Sequence, residues 1–514
     1  MRDKVENIMS RGFRKILVAN RGEIAIRVIR AIKELGKQAV AVRTPEDKSG
    51  SWVYLADEFY EISNYLNIDE IIDVAKKAKV DAIHPGYGFL SEREDFAEAC
   101  EIAGIKFIGP SPESLLMSGD KAIARQKAKE AGVPIVPGTD VLESPEKALE
   151  EARKIGFPVL LKAAGGGGGK GMRPVFDESE FMNLFKQASE EAKAAFGDPR
   201  IYIEKYIVAP KHIEVQILGD EHGNMVYLFE RDCSLQRRNQ KVIEESPSPL
   251  LPHDVRLKMC EAALKIMRKI NYFNAGTVEF IVDDNWNFYF IEINARIQVE
   301  HPVTEMVTGI DLIKRQIKIA EGEKLDISQE DIKQSGHAME LRIYAEDPDN
   351  DFMPSGGYVS FYKEPSMPGV RCDGWLYSGC QVPSKYDPLL LKLIVKGESR
   401  DETINKTLIA LDELKIQGIK SNIPFFKFVL NLPEFREGNI NTWSMKDILE
   451  KYKEHRRDLY LQDMEHAVVL GAYLCSNGTM QGVGPNQYQE NLKGGWKVSG
   501  WKINGRILRR EQLR

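Results

Sequence analysis

Four stretches of the chain carry residues able to do chemistry. The first is a glycine run, Ala163-Ala-Gly-Gly-Gly-Gly-Gly-Lys-Gly-Met-Arg173, entered from the apolar segment Pro158-Val-Leu-Leu-Lys162. Glycines let backbone N–H groups close on an anion and reach positive φ, so a strand, a glycine loop and a helix form a phosphate cradle. Lys162, Lys170 and Arg173 put positive charge around Gly167, Gly168 and Gly169. The P-loop pattern GxxxxGK[ST] is absent, because Gly171 follows Lys170. By its glycines alone the run is a flexible linker. The flanking cations, and an ammonium at the end of a buried-looking strand, favour phosphate.

The second stretch holds Glu279 in Thr-Val-Glu-Phe-Ile and Glu292 in Tyr-Phe-Ile-Glu-Ile-Asn294. A carboxylate in an apolar strand needs a partner. Two adjacent strands with a short loop between them, Asp283-Asp-Asn-Trp286, aim both carboxylates at one point. Two carboxylates and an amide oxygen are hard ligands for Mg²⁺ or Mn²⁺ shared with substrate phosphates; structural pairing with Lys or Arg is the other reading. The third is Asn294-Ala-Arg-Ile-Gln-Val-Glu-His-Pro-Val-Thr-Glu305. Arg296, Gln298 and Glu300 alternate, so on an extended segment they share a face. A guanidinium fork, an amide and a carboxylate make a small-anion pocket or a salt-bridged surface, and Glu300 has the chemistry of a general base. The fourth, residues 230–245, mixes acids with bases; Gln236 and Lys241 face either a nucleotide or solvent.

These groups need a scaffold. Apolar strands and amphipathic helices alternate up to about Gly109: a strand at residues 15–19, a helix at 22–35 with Gly36 as its stop, and a strand at 39–42. Further helices follow at 71–78 and 96–103, with extended segments at 82–84 and 107–108. That alternation predicts a doubly wound parallel sheet. The first turn reads Asn20-Arg-Gly-Glu23 rather than GxGxxG, so nothing points to a dinucleotide. Further helices are expected at 121–131 and 178–195, strands at 201–204, 212–218, 277–282 and 287–293, and an α+β segment at 336–449.

With 514 residues, about three or four domains fit. A net charge of -6 gives no support to nucleic acid or anionic membrane as the main partner. No apolar run approaches a bilayer span, and MRDKVENIMSRGFRK has no apolar core of a signal peptide. The six scattered cysteines lack a CxxC pair, as expected for free thiols in the cytoplasm. From residue 451 onward 11 Lys+Arg face 6 Asp+Glu, a net +5, with Trp496 and Trp501 in a polar, glycine-rich setting. This tail is expected to dock onto partner subunits and to be dispensable for chemistry, with packing on the last domain as the other reading.

Taken together, the motifs resemble the ATP-grasp superfamily, and within it the biotin carboxylase component of biotin-dependent carboxylases. The resemblance covers residues 15–449. Its residues are Ala19-Asn-Arg-Gly-Glu-Ile-Ala25, His84-Pro-Gly-Tyr-Gly-Phe-Leu-Ser-Glu92, Gly119-Asp-Lys121, the glycine run, Glu230-Arg-Asp-Cys-Ser234, Arg296 to Glu305, and Arg342-Ile-Tyr-Ala-Glu-Asp-Pro348. It implies an N-terminal domain at 1–120, an ATP-grasp domain at 121–335 with a lid at 136–204, a C-terminal α+β domain at 336–450 and the tail at 451–514. The implied reaction is a two-step ligation in which bicarbonate attacks MgATP to give carboxyphosphate. The CO₂ released from it then carboxylates N1 of biotin.

Carried over by position, Lys121, Lys162, Gly167, Gly168, Gly169, Glu204, Ile207, His212, Gln236 and Asn239 would hold ATP. Glu279, Glu292 and Asn294 would hold Mg²⁺ or Mn²⁺. Lys241, Arg296, Gln298, Val299 and Glu300 would hold bicarbonate, Glu300 being its base; Tyr87 and Arg342 would meet biotin, Arg342 stabilising its enolate. Two positions depart from the pattern, Asn239 and Trp52 each standing where the family usually has His. A Met-Lys-Met attachment site is missing, since Asp447 follows Met445-Lys446. The resemblance therefore implies a homo-oligomeric (dimeric) subunit that works with a separate biotin carboxyl carrier protein and a carboxyltransferase. The final acceptor, an acyl-CoA or a 2-oxo acid, stays open. So do two other readings: a different ATP-grasp ligase that joins a carboxylate to an amine, or a non-catalytic assembly paralogue.

Overall fold

The structure, a computed structural model, describes residues 12–139, 141–142, 144–163 and 172–476. The glycine loop, with Gly167, Gly168 and Gly169, and the tail from residue 477 with Trp496 and Trp501 lie outside them. The described residues up to Met445 form one compact unit and those from Lys446 a second.

The chain opens with β1 (Lys15–Val18), α1 (Gly22–Glu34), β2 (Gln38–Arg43), β3 (Glu58–Glu61), α2 (Ile68–Ala78), β4 (Ala82–His84), α3 (Glu94–Ala103) and β5 (Lys106–Phe107). The five strands make a parallel sheet in the order β3-β2-β1-β4-β5, as the alternation predicts. Helices cover both faces, so β1, β2 and β4 are apolar almost throughout. Gly36, at φ +71°, takes the left-handed conformation that stops α1.

Next come α4 (Lys121–Glu130), α5 (Pro145–Ile155), β6 (Val159–Ala163), β7 (Met172–Val175), α6 (Phe181–Phe196) and β8 (Ile201–Lys205). Strands β7-β6-β8 form a small antiparallel sheet. Val159, Leu161, Phe181, Phe185 and Ile203 give it a core separate from the rest.

The largest sheet is built from β9 (Lys211–Gly219), β10 (Met225–Arg237), β11 (Gln240–Ser246), β12 (Asn274–Val282), β13 (Phe288–Asn294), β14 (His337–Tyr344), β15 (Val370–Gly374) and β16 (Leu389–Gly397). Its order is β13-β12-β9-β10-β11-β14-β16-β15. The division expected between residues 335 and 336 precedes β14, which joins this same sheet through β11. Helices α7 (His253–Lys269), α8 (His301–Thr308), α9 (Leu312–Ala320) and α10 (Arg400–Glu413) accompany it. A final helix, α11 (Ser444–Ser476), begins before residue 451, where the basic tail is expected to start. Among the described residues no helix is long and apolar enough to cross a membrane.

Both departures from the family pattern have local explanations. Arg238 and Asn239, at φ +53° and +63°, form the two-residue turn between β10 and β11. Such a turn needs left-handed backbone at both positions, which Asn tolerates better than most residues. Trp52 is fully buried, donates Nε1–H to the Val42 carbonyl at 3.0 Å and meets Trp375 edge-on. With Trp375 and Tyr386 it surrounds the Arg21 guanidinium, which also forks onto Asp47 at 2.8 and 2.7 Å. Arg21 sits beside the glycine that starts α1, so this aromatic box fixes the first turn of the chain. Trp52→Ala should cost about 3–5 kcal/mol of stability. A denaturant titration checks it; an unchanged midpoint would mean that the box adds little.

Candidate active site

Cross-strand register sets the centre of the site. Arg231 on β10 lies opposite Glu214 on β9, Glu214 opposite Glu279 on β12, and Glu279 opposite Glu292 on β13. One row across four strands thus carries a cation and three carboxylates. Like charges directly opposite one another destabilise a sheet, and buried charges must be paired. Glu214 is fully buried and Glu279 is 4% exposed, while Glu292 is half-buried.

Several donors compensate. Lys241 on β11 contacts Glu214 and donates to Glu279 and to Glu300, both at 2.8 Å. Asn294 and Gln298 give amide N–H groups to Glu279 at 2.9 and 2.8 Å. His212 Nε2 meets the other Glu279 oxygen at 2.8 Å, and its Nδ1 receives Gln236 Nε2 at 2.9 Å. Arg231, wholly buried, grips Glu214 and donates to Gln216, Thr277, Gln298 and Thr304. Lys121 at the start of α4 meets Glu292 at 3.0 Å.

Residues 295–300 are a turn rather than a strand, so Arg296, Gln298 and Glu300 do not share one face of a strand. They fan out instead. Arg296 reaches Asn294 Oδ1 at 3.1 Å and Glu92 at 3.0 Å, and Gln298 lies between Arg231 and Glu279. Glu300, just ahead of α8, lies between Lys241 and Arg342, whose Nη2 is 2.9 Å away. Burial raises the Glu300 pKa, but Lys241, Arg342 and Arg231 outweigh it and hold the carboxyl well below its ordinary value. Burial likewise raises Glu279, and Lys241 and His212 bring it far down. Burial lowers Lys241 less than its three carboxylates raise it. All three groups are therefore charged at neutral pH.

Behind Glu300, the buried Lys392 on β16 donates to the Val299 carbonyl at 2.8 Å and pairs with Glu23 of α1 at 3.2 Å. The Tyr87 hydroxyl donates to that same Glu23. Burial and Glu23 push the Tyr87 pKa far up, so it stays a phenol, and it lies within electrostatic reach of Arg342.

A second group forms at the small sheet. Lys162 Nζ is 2.8 Å from Glu204 and 5.3 Å from the Tyr202 ring, and Arg125 meets the other Glu204 oxygen at 2.7 Å. Helix α4 links the two groups, because Lys121 and Arg125 are one turn apart. Ile207 is half-buried in the connection from β8 to β9, and Asn239 is exposed at its turn. The sequence alone assigned no role to Glu214, Arg231, Glu244, Glu23, Lys392 or Arg125. Glu214 carried the signal already used for Glu279, a carboxylate between apolar neighbours, here Ile213 and Val215.

Glu279, Glu292 and Asn294 offer hard oxygen atoms on one strand pair, and protein cations already lie against them. An opposed carboxylate pair of this kind suits Mg²⁺ or Mn²⁺. Two tighter groupings have ligand atoms within 4.8 Å of one another, His212 with Glu214 and Glu279, and Glu214 with Cys233 and Glu300. Lys241 bonds to carboxylates of both and serves as their cation.

A parallel-sheet domain, a small antiparallel layer and a broad sheet lined by cations and carboxylates define an ATP-dependent ligase of the ATP-grasp class. Family models agree: "Biotin carboxylase, N-terminal domain" matches residues 12–115, "Carbamoyl-phosphate synthase L chain, ATP binding domain" matches 120–328, and "Biotin carboxylase C-terminal domain" matches 340–447. The biotin carboxylase of Nostoc sp. is 51% identical over 437 residues, 84% of this chain and 98% of that protein. Biotin carboxylase 1 of Bacillus subtilis is 49% identical over 437 residues, 84% of this chain and 97% of that protein. Among solved structures, the biotin carboxylase domain dimer of Hydrogenobacter thermophilus 2-oxoglutarate carboxylase, with MgADP, ADP and bicarbonate, has a TM-score of 0.80 at 46% identity. It covers 85% of this chain and 99% of that one. This chain belongs to the biotin carboxylase family.

Glu300→Gln keeps the shape of the side chain and removes its basicity. ATP hydrolysis that depends on bicarbonate should fall about 10²–10⁴-fold while nucleotide binding persists; turnover like that of the parent chain would take Glu300 out of the chemistry. Glu292→Gln removes one hard anionic ligand and should raise the Mg²⁺ and Mn²⁺ concentrations needed for half-maximal activity. An unchanged metal titration would leave Glu292 as a partner of Lys121 alone.

Proposed function

We propose that this chain catalyses the ATP- and bicarbonate-dependent carboxylation of biotin borne by a separate carrier protein. The observation that carries this reading is Glu300, an ionised carboxylate buried between Lys241 and Arg342 and one residue from Val299, whose carbonyl Lys392 fixes.

Bicarbonate enters as an anion beside Lys241, Arg296, Gln298 and the Val299 backbone. Its charge competes with Glu300 for the same cations. A carboxylate released from part of its positive surroundings becomes more basic, so substrate binding itself makes Glu300 a better base. Glu300 takes the bicarbonate proton as the bicarbonate oxygen attacks the γ-phosphorus; the bond to the β-phosphate oxygen breaks and ADP departs. Carboxyphosphate then splits into CO₂ and phosphate; the phosphate takes the N1 proton of biotin, and N1 captures the CO₂. Tyr87 and Arg342 line the biotin side, Arg342 facing the charge that develops on the ureido oxygen. Lys121, Lys162, Glu204, Ile207, His212, Gln236 and Asn239, with the glycines Gly167, Gly168 and Gly169, hold ATP. Glu279, Glu292 and Asn294 hold Mg²⁺ or Mn²⁺, which when bound neutralises phosphoryl charge.

The proposal extends to organisation. The chain is a cytoplasmic subunit that forms homodimers and supplies carboxybiotin to a carboxyltransferase acting on an acyl-CoA or a 2-oxo acid, with residues 136–204 as a lid over ATP. An amine-capturing ligase makes a different forecast. Incubation with MgATP, labelled bicarbonate and free biotin should yield acid-labile label on biotin and biotin-stimulated ADP release. ADP release indifferent to biotin would overturn this function.

A further inference from the structure

Beside Arg342 and Lys392 lie two buried carboxyls that the reaction above does not use. Glu244 on β11 stands directly opposite Glu340 on β14, and Arg342 opposite Lys392 on β16. Both carboxyls are 0% exposed. Glu244 meets Arg342 Nε at 2.6 Å. Neither Glu244 nor Glu340 has a hydrogen-bond partner at either oxygen; Glu244 has the Arg342 guanidinium as an ion-pair partner, whereas Lys392, the cation nearest Glu340, is engaged by Glu23 and the Val299 carbonyl. Two opposed carboxylates in a dry site do not both ionise unless a cation bridges them, as Lys241 bridges Glu214 and Glu279. The proton stays on Glu340, which lacks a cation of its own, and Glu244 takes the charge beside Arg342.

We infer that Glu244 is a positioning residue for the biotin step, holding Arg342 in place when Glu300 no longer can. This rests on the function proposed above. Arg342 is clamped by two carboxylates, Glu300 on one side and Glu244 on the other. Once Glu300 has taken the bicarbonate proton it is neutral, and its bond to the guanidinium loses the strength that charge gives it. Glu244 is then the remaining anion in direct contact with Arg342 as negative charge grows on biotin. Charged and titratable groups surround Glu244: Lys241 of its own strand, Cys233 of β10, Glu340, Arg342 and Tyr344 of β14 and Glu300 ahead of α8, with Lys392 of β16 beyond Glu340 and Glu23 and Tyr87 beyond that. Burial pushes Glu244 up to about 7 against the pull of Arg342, and pushes Glu340 far up.

The test compares two rates of the full chain: bicarbonate-dependent ADP release without biotin, and carboxylation of free biotin. In Glu244→Gln the second rate should fall about 10–100-fold more than the first, the usual loss when a supporting contact of a working residue is removed. Glu340→Gln mimics the protonated acid and should lower that ratio at least about tenfold less than Glu244→Gln does. In the parent chain the ratio should drop as pH falls through about 7, where Glu244 gains its proton. That limb should vanish in Glu244→Gln. Equal loss of both rates in Glu244→Gln, or an equally damaging Glu340→Gln, would reduce the pair to structural support and overturn the inference. Should Glu244→Gln fail to fold, the parent chain decides: a ratio flat from pH 6 to 8 rejects the role. Absence of any biotin-stimulated turnover in the parent chain would overturn the proposed function itself, and this inference with it.

Discussion

The ammonium of Lys241, buried among Glu214, Glu279 and Glu300, is the interaction on which the site depends. An isolated charge in a dry interior costs several kcal/mol even after relaxation. Four such groups persist together because each is the other's solvent. The sheet makes this possible by placing β9, β11 and β12 so that their side chains converge, and α8 delivers Glu300 from the fourth direction. Removing one partner would leave the others uncompensated, which explains why amides from Asn294 and Gln298 and the fully buried Arg231 brace the same carboxylates. The cost of burying charge is met before any substrate arrives. An incoming anion or metal then exchanges partners within a charged network and creates no new one.

The two sheets beside that network are held in different ways. The small sheet β7-β6-β8 has its own apolar core and is tied by a polar contact, Glu204 with Arg125, to helix α4, whose Lys121 in turn meets Glu292 of the large sheet. Contacts of this kind can be exchanged for contacts to a triphosphate without dismantling a core. The large sheet behaves oppositely. β11 and β14 pair without a break from Ile243 to Ser246, so Glu244 and Glu340 are locked in register.

The two departures from the family pattern show how a local rule absorbs a substitution. Asn239 occupies a turn position with left-handed backbone, where Asn costs little. Its effect is confined to losing a side chain that can become cationic. Trp52 was conspicuous for its size, and the structure gives it a full set of neighbours: a carbonyl for its N–H, an aromatic edge and the Arg21 guanidinium.

By itself the sequence determined the parts that depend on short-range pattern. Alternating apolar strands and helices define the parallel sheet, and Gly36 marks the stop of α1. The apolar settings of Glu279 and Glu292 and the loop between them place both glutamates on one hairpin, and the motifs around Glu300 and Arg342 identify the chemistry. What the tertiary structure alone decided is which charges meet. Glu214, Glu244, Glu340 and Lys392 are charged residues on strands of the large sheet, and each has the same local signature as a surface residue. Their partners lie on strands that are neighbours in space and distant in the chain: Lys392 reaches Glu23 and Val299, and Arg342 reaches Glu244 and Glu300. The alternation of Arg296, Gln298 and Glu300 looked like one face of a strand, yet the chain turns there to start α8 and sends the three side chains to different carboxylates and amides. Register between non-adjacent strands is set by the packing of whole faces, so no window of sequence contains it, and the electrostatics of this site follow from that register.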